Sequence, residues 1–278
     1  MAIKVCLDAG HYGKYNRSPV VKSYYESDMT WKLHKLLEKY LKKYGIKVIK
    51  TRSVKSKDLD LHTRGTKSKG CDLFLSLHSN AAGTESVDYV AVYHLTDDAK
   101  TECDDISEVI AKKLAPVIAD VMGTKQGHKV LTRKADYDRN RDGFLNDNYY
   151  GVLHGARTVE TPGLILEHSF HTNKEMTKWL LDDASLDKLA KAEAEVIAEY
   201  FNVVDKKKKS VYYSKYTGNS TQIDIVLKAI GVPARYRGSI AARRPLAKAN
   251  GITGTYQGTE KQNIKLIKKA KNGKLKKV

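Results

Sequence analysis

Short apolar runs of strand length alternate with longer segments of helical period through the first 204 residues, and this alternation constrains the fold more than any other feature. At the N-terminus Ile3, Val5 and Leu7 alternate with Lys4, Cys6 and Asp8, the two-residue period of a strand. Ala9-Gly10 then permits a sharp turn, and His11 stands at the strand's end. A second run, CDLFLSLH, ends the same way at His78. Further strands are expected in IKVIKTR, SVDYVAVYHL, YYGVLH and GLILEHSF, while HTRGTKSKG reads as a short helix or loop. Met29, Leu33, Leu36, Leu37, Tyr40, Leu41 and Tyr44 share one helical face that Gly45 closes. Ile106, Val109, Ile110, Leu114, Val117 and Val121 predict a second helix, with a kink expected at Pro116. SLDKLAKAEAEVIAEYF predicts a last one, with Ser185 placed to cap it. Strands alternating with helices point to an α/β fold with a largely parallel or mixed sheet.

Charge divides the chain. Residues 205–278 hold 19 Lys and Arg against 3 acidic residues, so nearly all of the net +18 lies in the last quarter. The four consecutive lysines of DKKKKS repel one another and predict a linker at 205–209 between domains 1–204 and 210–278. Beyond it the pattern becomes short helices, predicting a small, mainly α domain. Tyr216 and Tyr256, Gly218 and Gly258, and Gln222 and Gln262 lie 40 residues apart, which suggests a degenerate pair of turn-plus-helix units. Three cysteines, Cys6, Cys71 and Cys103, argue against a disulfide framework. No apolar stretch approaches the roughly 18 residues that span a bilayer, so no membrane insertion is expected. The opening residues read as a strand rather than a leader, so the expectation is synthesis in a host cytoplasm without a signal peptide, and later release.

Four residues at or near element ends carry potential chemistry: His11, Glu26, His78 and Glu167. In open α/β sheets ligands collect beyond the carboxyl ends of the strands, so parallel strands would gather these groups at one edge. Two histidines and a carboxylate suit a catalytic zinc site, with a further carboxylate as general base. Each also has an ordinary reading. Ser23-x-x-Glu26 matches a helix capping box, a strand-end histidine is often just hydrogen-bonded, and Glu167 could be salt-bridged.

The motifs LDAGH, YYESD, TR at 51–52, Asp58-x-x-Leu61-x-x-Arg64, CDLFLSLHSNA, YYGVL and PGLILEHSFHTN occur in this order over roughly residues 1–200. In them the chain resembles the zinc-dependent N-acetylmuramoyl-L-alanine amidases of the autolysin and phage-endolysin type. The resemblance implies His11, Glu26 and His78 as ligands of one zinc ion and Glu167 as the catalytic glutamate. It also implies a twisted, largely parallel sheet with helices on both faces, and bacterial peptidoglycan as substrate. Asn80, His171 and Arg64 are its candidate substrate contacts, with bracing of the loop as the other reading of His171. Many such relatives have a small residue after the catalytic glutamate, where this chain has His168; strand alternation would turn His168 away from Glu167. Asp138, Asn140, Asp142 and Gly143 mimic half a calcium loop, but Tyr149 stands where such loops need a bidentate glutamate, so an exposed polar loop is expected.

The basic C-terminal segment has the charge of a nucleic-acid binder, and its tyrosines could stack on bases or sugar faces. It also resembles the small wall-binding domains of clostridial endolysins, in the framework YTG, VLKAIGV, AKANGI, YQGTEKQNIKLI and GKL. That resemblance implies an anionic envelope, peptidoglycan or teichoic acid, as partner rather than nucleic acid. Tyr216, Arg235, Arg243, Arg244 and Tyr256 are the candidate contacts. Two other readings remain: a non-catalytic wall-binding protein on an amidase fold, and a nucleic-acid-associated metallohydrolase.

Overall fold

The computed structural model describes residues 2–96, 101–139, 147–203 and 212–278. The chain divides into two compact units, Met1–Val204 and Asp205–Val278. The lysine run at 205–209 and the half calcium loop at Asn140, Asp142 and Gly143 lie outside the described residues.

The first unit is built on one sheet. Its strands are β1 (Lys4–Ala9), β2 (Lys47–Lys50), β3 (Leu73–Asn80), β4 (Val90–His94), β5 (His128–Leu131) and β6 (Gly163–Phe170), in the order β2-β1-β3-β6-β4-β5. Among the described strands only β4 and β6 pair antiparallel; the other neighbours are parallel. The carboxyl ends of β1, β3 and β6 therefore share one edge.

Strand alternation sorts the core into two layers. Val5, Leu7, Leu75, Leu77 and Leu166 face helices α1 (Glu26–Lys43), α3 (Glu102–Met122) and α6 (Asp183–Tyr200). Cys6, Phe74 and Ile165 face the other way, onto Val152, Leu153 and Ala156 of α4 (Gly151–Thr158). Helices on both faces of a mostly parallel sheet match the expected fold class. On α1 the buried positions Met29, Leu33, Leu37 and Leu41 are the predicted stripe, and Gly45 follows it at φ 75°. The three cysteines are free.

Local expectations failed in a few places. YYGVLH, read as a strand, is the start of α4. Its geometry is set by α2 (Leu61–Thr66), which it meets through glycines: a Cβ on Gly65 would lie 2.2 Å from the Val152 carbonyl oxygen, and one on Gly155 2.2 Å from that of His62. Ser185 does not cap α6; Asp182 does, accepting from the Ser185 amide at 2.8 Å. The short β5 and α5 (Lys174–Leu181) were not foreseen.

The second unit is small and mainly α. Helices α7 (Ile223–Ala229), α8 (Ile240–Ala249) and α9 (Glu260–Lys271) close around Val226, Leu227, Leu246, Leu266 and Leu275. The 40-residue spacing does not extend to the helix starts. Gln222 precedes α7 as its N-cap, whereas Gln262 lies inside α9 and completes a capping box with Thr259. No helix among the described residues is long and apolar enough to cross a membrane.

Candidate active site

Two of the candidate groups arrive on neighbouring strands in register, His78 of β3 opposite Glu167 of β6. His11 follows β1 after Gly10, with φ 58°, a left-handed conformation at the sheet edge. The turn is tight: the Gly10 amide donates to the Leu77 carbonyl at 3.0 Å. Two buried arginines hold it from below. Arg52 donates to the carbonyls of Ala9, at 2.7 Å, and His11. Arg64 donates to the Leu59 carbonyl at 2.9 Å and lies 3.7 Å from Asp8.

Glu26 opens α1, but the capping box does not form. Tyr25 is the N-cap, and no side chain caps the helix end. The Glu26 carboxylate instead points at the histidines. Oε2 lies 3.1 Å from His11 Nε2 and accepts from Asn16; Oε1 lies 2.8 Å from His78 Nδ1 and accepts from the Ser79 amide at 3.0 Å. Burial alone would raise this carboxyl. The two histidines outweigh burial and hold it well below the usual carboxylate range.

The ligand atoms of His11, Glu26 and His78 all lie within 4.8 Å of one another. Two imidazole nitrogens and one carboxylate oxygen are a donor set that suits a zinc ion with an open position. Beside them, Glu167 Oε2 is buried without a hydrogen-bond partner among the described residues. Its burial, and then the negative charge of Glu26, push the Glu167 carboxyl well above its ordinary value.

A hydrogen-bond chain stands behind His78. Asp8 is fully buried and accepts from Thr51 Oγ1 at 2.7 Å and from Ser76 Oγ at 2.8 Å. Ser76 Oγ in turn lies 3.1 Å from His78 Nε2. A hydroxyl has one proton, and Ser76 spends it on Asp8, so its oxygen accepts from the Nε2–H of His78. Nδ1 is thereby left for the ligand side, where a metal ion would take the place of the proton it shares with Glu26 Oε1. Asp8, Asn16, Arg52, Ser76 and Ser79 had no site role in the sequence reading. Asp8, Arg52, Ser76 and Ser79 lie within the motifs quoted above, but nothing local gave them a role.

Of the other candidates, His168 and His171 are placed as one of their expected readings has it, and Arg64 is not. His168 is fully buried, bonded to the His78 carbonyl at 2.8 Å and to Glu193 of α6 at 2.6 Å. It is turned away from the cluster, as alternation requires. His171 is also buried and braces the Ser79 carbonyl at 3.0 Å, with its ring stacked on Tyr24. Arg64 is 3% exposed and engaged by backbone and carboxylate groups, so its role is to shape the turn rather than to meet substrate. Asn80 is half-buried, and its side chain accepts from the Ala81 amide at 2.8 Å.

In the second unit three expected contact residues are core residues. Tyr216 is 9% exposed and Tyr256 2%, so neither ring offers a face to a ligand. Arg243 is buried against Asp224 and the Tyr256 ring. Arg235 and Arg244 are exposed.

A family model described as N-acetylmuramoyl-L-alanine amidase matches residues 5–199, well over half of the chain. The chain belongs to that family. Over 200 residues it is 26% identical to a probable cell wall amidase, LytH, of Staphylococcus epidermidis, covering 71% of this chain and 58% of that relative. Among solved structures it resembles Cwp6 from Clostridium difficile, with TM-score 0.60 and 22% identity over 72% of this chain and 29% of that one. The catalytic domain of the amidase CwlV from Bacillus (Paenibacillus) polymyxa var. colistinus gives 0.55 and 22% over 72% and 99%. The family's shared part is thus the first unit.

Proposed function

We propose that the first unit is a zinc-dependent peptidoglycan amidase, cleaving the amide between the lactyl group of N-acetylmuramic acid and L-alanine. The observation that carries this reading is the meeting of three ligand atoms within 4.8 Å beside a buried carboxylate oxygen without a partner among the described residues, on a chain of this family. His11, Glu26 and His78 would hold the metal. Bound there, a zinc ion would supply Lewis acidity and bring the pKa of its water towards about 7.

The chain's own residues do the proton work. Glu167 accepts the proton of the attacking water as the new C–O bond forms. It then delivers that proton to the amide nitrogen as the C–N bond breaks, so the amine leaves neutral and the lactyl group leaves as an acid. Burial favours the protonated form of Glu167, whereas a cation held by its neighbours favours the carboxylate. One group so placed can both take up and release the proton. The basic second unit supports a targeting role towards an anionic wall polymer.

Mass analysis of digested cell walls tests the reading. New L-alanine amino termini without new reducing sugar ends are expected. Chelation should abolish their release and zinc should restore it. Glu167→Gln should keep zinc and lose roughly 100-fold or more in turnover. New reducing ends, or full turnover by Glu167→Gln, would overturn it.

A further inference from the structure

On the second unit a groove of about 510 Å³ lies between the later turns of α8 and the segment 251–256. Arg244 and Lys248 line it, one helical turn apart and both exposed. Like charges at this spacing oppose each other. Among the described residues neither has an ion-pair partner, and no acidic residue lines the groove. Arg243, beside them in sequence, differs: it takes Asp224 and turns into the core.

The opposite wall adds donors. The segment bends through Gly251 and Gly254, at φ 72° and 77°. The backbone amides of Thr253, Gly254 and Thr255 have no acceptor among the described residues, and these residues are exposed. Two cations and a run of available amides, with no competing carboxylate, form a site for an oxyanion. The unit's 19 basic residues against 3 acidic ones suit a repeating polyanion better than a single carboxylate. Nucleic acid fits less well. Single strands bind by stacking bases on open aromatic faces, and the one ring lining this groove, Tyr256, is 2% exposed with its hydroxyl bonded to Asn263.

Resting on the wall-targeting role of the second unit, we propose that this groove binds the phosphodiester of a polyol-phosphate wall polymer, through Arg244, Lys248 and the 253–255 amides. The test uses the full chain and purified poly(glycerol phosphate) in a calorimetric titration at fixed salt. Arg244→Ala/Lys248→Ala should bind at least 10-fold more weakly. Lys261→Ala/Lys268→Ala, on exposed positions of α9 outside the groove, removes the same charge and should weaken binding no more than threefold. Arg244→Lys should stay within threefold of the parent, and a parent-like melting curve for Arg244→Ala/Lys248→Ala excludes misfolding as the cause of its loss. Equal losses in the two double variants would reduce the attraction to diffuse charge and overturn the site. Equally tight binding of a single-stranded oligonucleotide, lost in the groove variant, would reassign it to nucleic acid. Binding is read without hydrolysis, so an inactive parent enzyme would sink the amidase reading and leave this result standing.

Discussion

Replacing Ser76 by Ala removes one hydroxyl and two hydrogen bonds, at 2.8 Å to Asp8 and 3.1 Å to His78. Asp8 keeps its Thr51 bond at 2.7 Å, but its other oxygen loses the serine, and Arg64 stands 3.7 Å away. His78 Nε2–H loses its acceptor on the side of the ring that faces the fully buried Ser76 and Asp8. An unsatisfied buried polar group costs about 1–3 kcal/mol. Partners that orient a ligating histidine are typically worth about 10–100-fold in metal affinity, and each factor of ten is about 1.4 kcal/mol. Zinc affinity, measured by competition with a chromophoric chelator, should therefore fall by about 10–100-fold. The metal-free protein should lose about 1–3 kcal/mol in urea unfolding. Nitrogen NMR of zinc-loaded protein should show His78 Nε2–H in the parent and its signal shifted in the variant. Unchanged zinc affinity would refute the role assigned to this chain, whatever happened to activity.

Two further outcomes follow from single side chains. His34 is buried, and burial pushes its pKa down to about 4. The folded state therefore resists protonation, so stability is complete above the unfolded value near 6.5 and is lost as pH falls from there towards 4. Between pH 7.5 and 5 the loss works out at about 2 kcal/mol, and His34→Leu should remove it; equal urea-unfolding slopes against pH in variant and parent would contradict this. At Gly10 an added Cβ would lie 2.3 Å from His78 Cε1 and 2.5 Å from the Leu77 carbonyl oxygen. Gly10→Ala should cost about 2–3 kcal/mol, a melting drop of roughly 4–12 °C, with loss of zinc binding; a parent-like melting curve with full zinc would show that the turn can yield.

Local pattern made β1, β3, β6 and α1 readable from the amino-acid sequence, because periods of two and 3.6 are written in consecutive residues. His11 just past β1, and His78 and Glu167 in the carboxyl-terminal halves of β3 and β6, were readable from the apolar runs that precede them, since a parallel arrangement brings those parts to one edge. The orientation of His168 away from its neighbour followed from alternation alone. Tertiary contacts decided the rest. Gly65 and Gly155 lie 90 positions apart in sequence, and their close approach makes YYGVLH the start of a helix although its apolar run is too short to choose. Ser23 and Glu26 have the spacing of a capping box, but two histidines from other elements draw the carboxylate away from its own backbone. Tyr216 and Tyr256 look like ligand platforms until the helices of the small unit close over them. The Ser76 bond to Asp8, behind His78, joins residues 68 apart, and the Glu193 bond to His168 joins residues 25 apart. A chain's own periodicity says which side of an element is buried. Which partner waits there depends on contacts distant in sequence, and those form only when the layers pack.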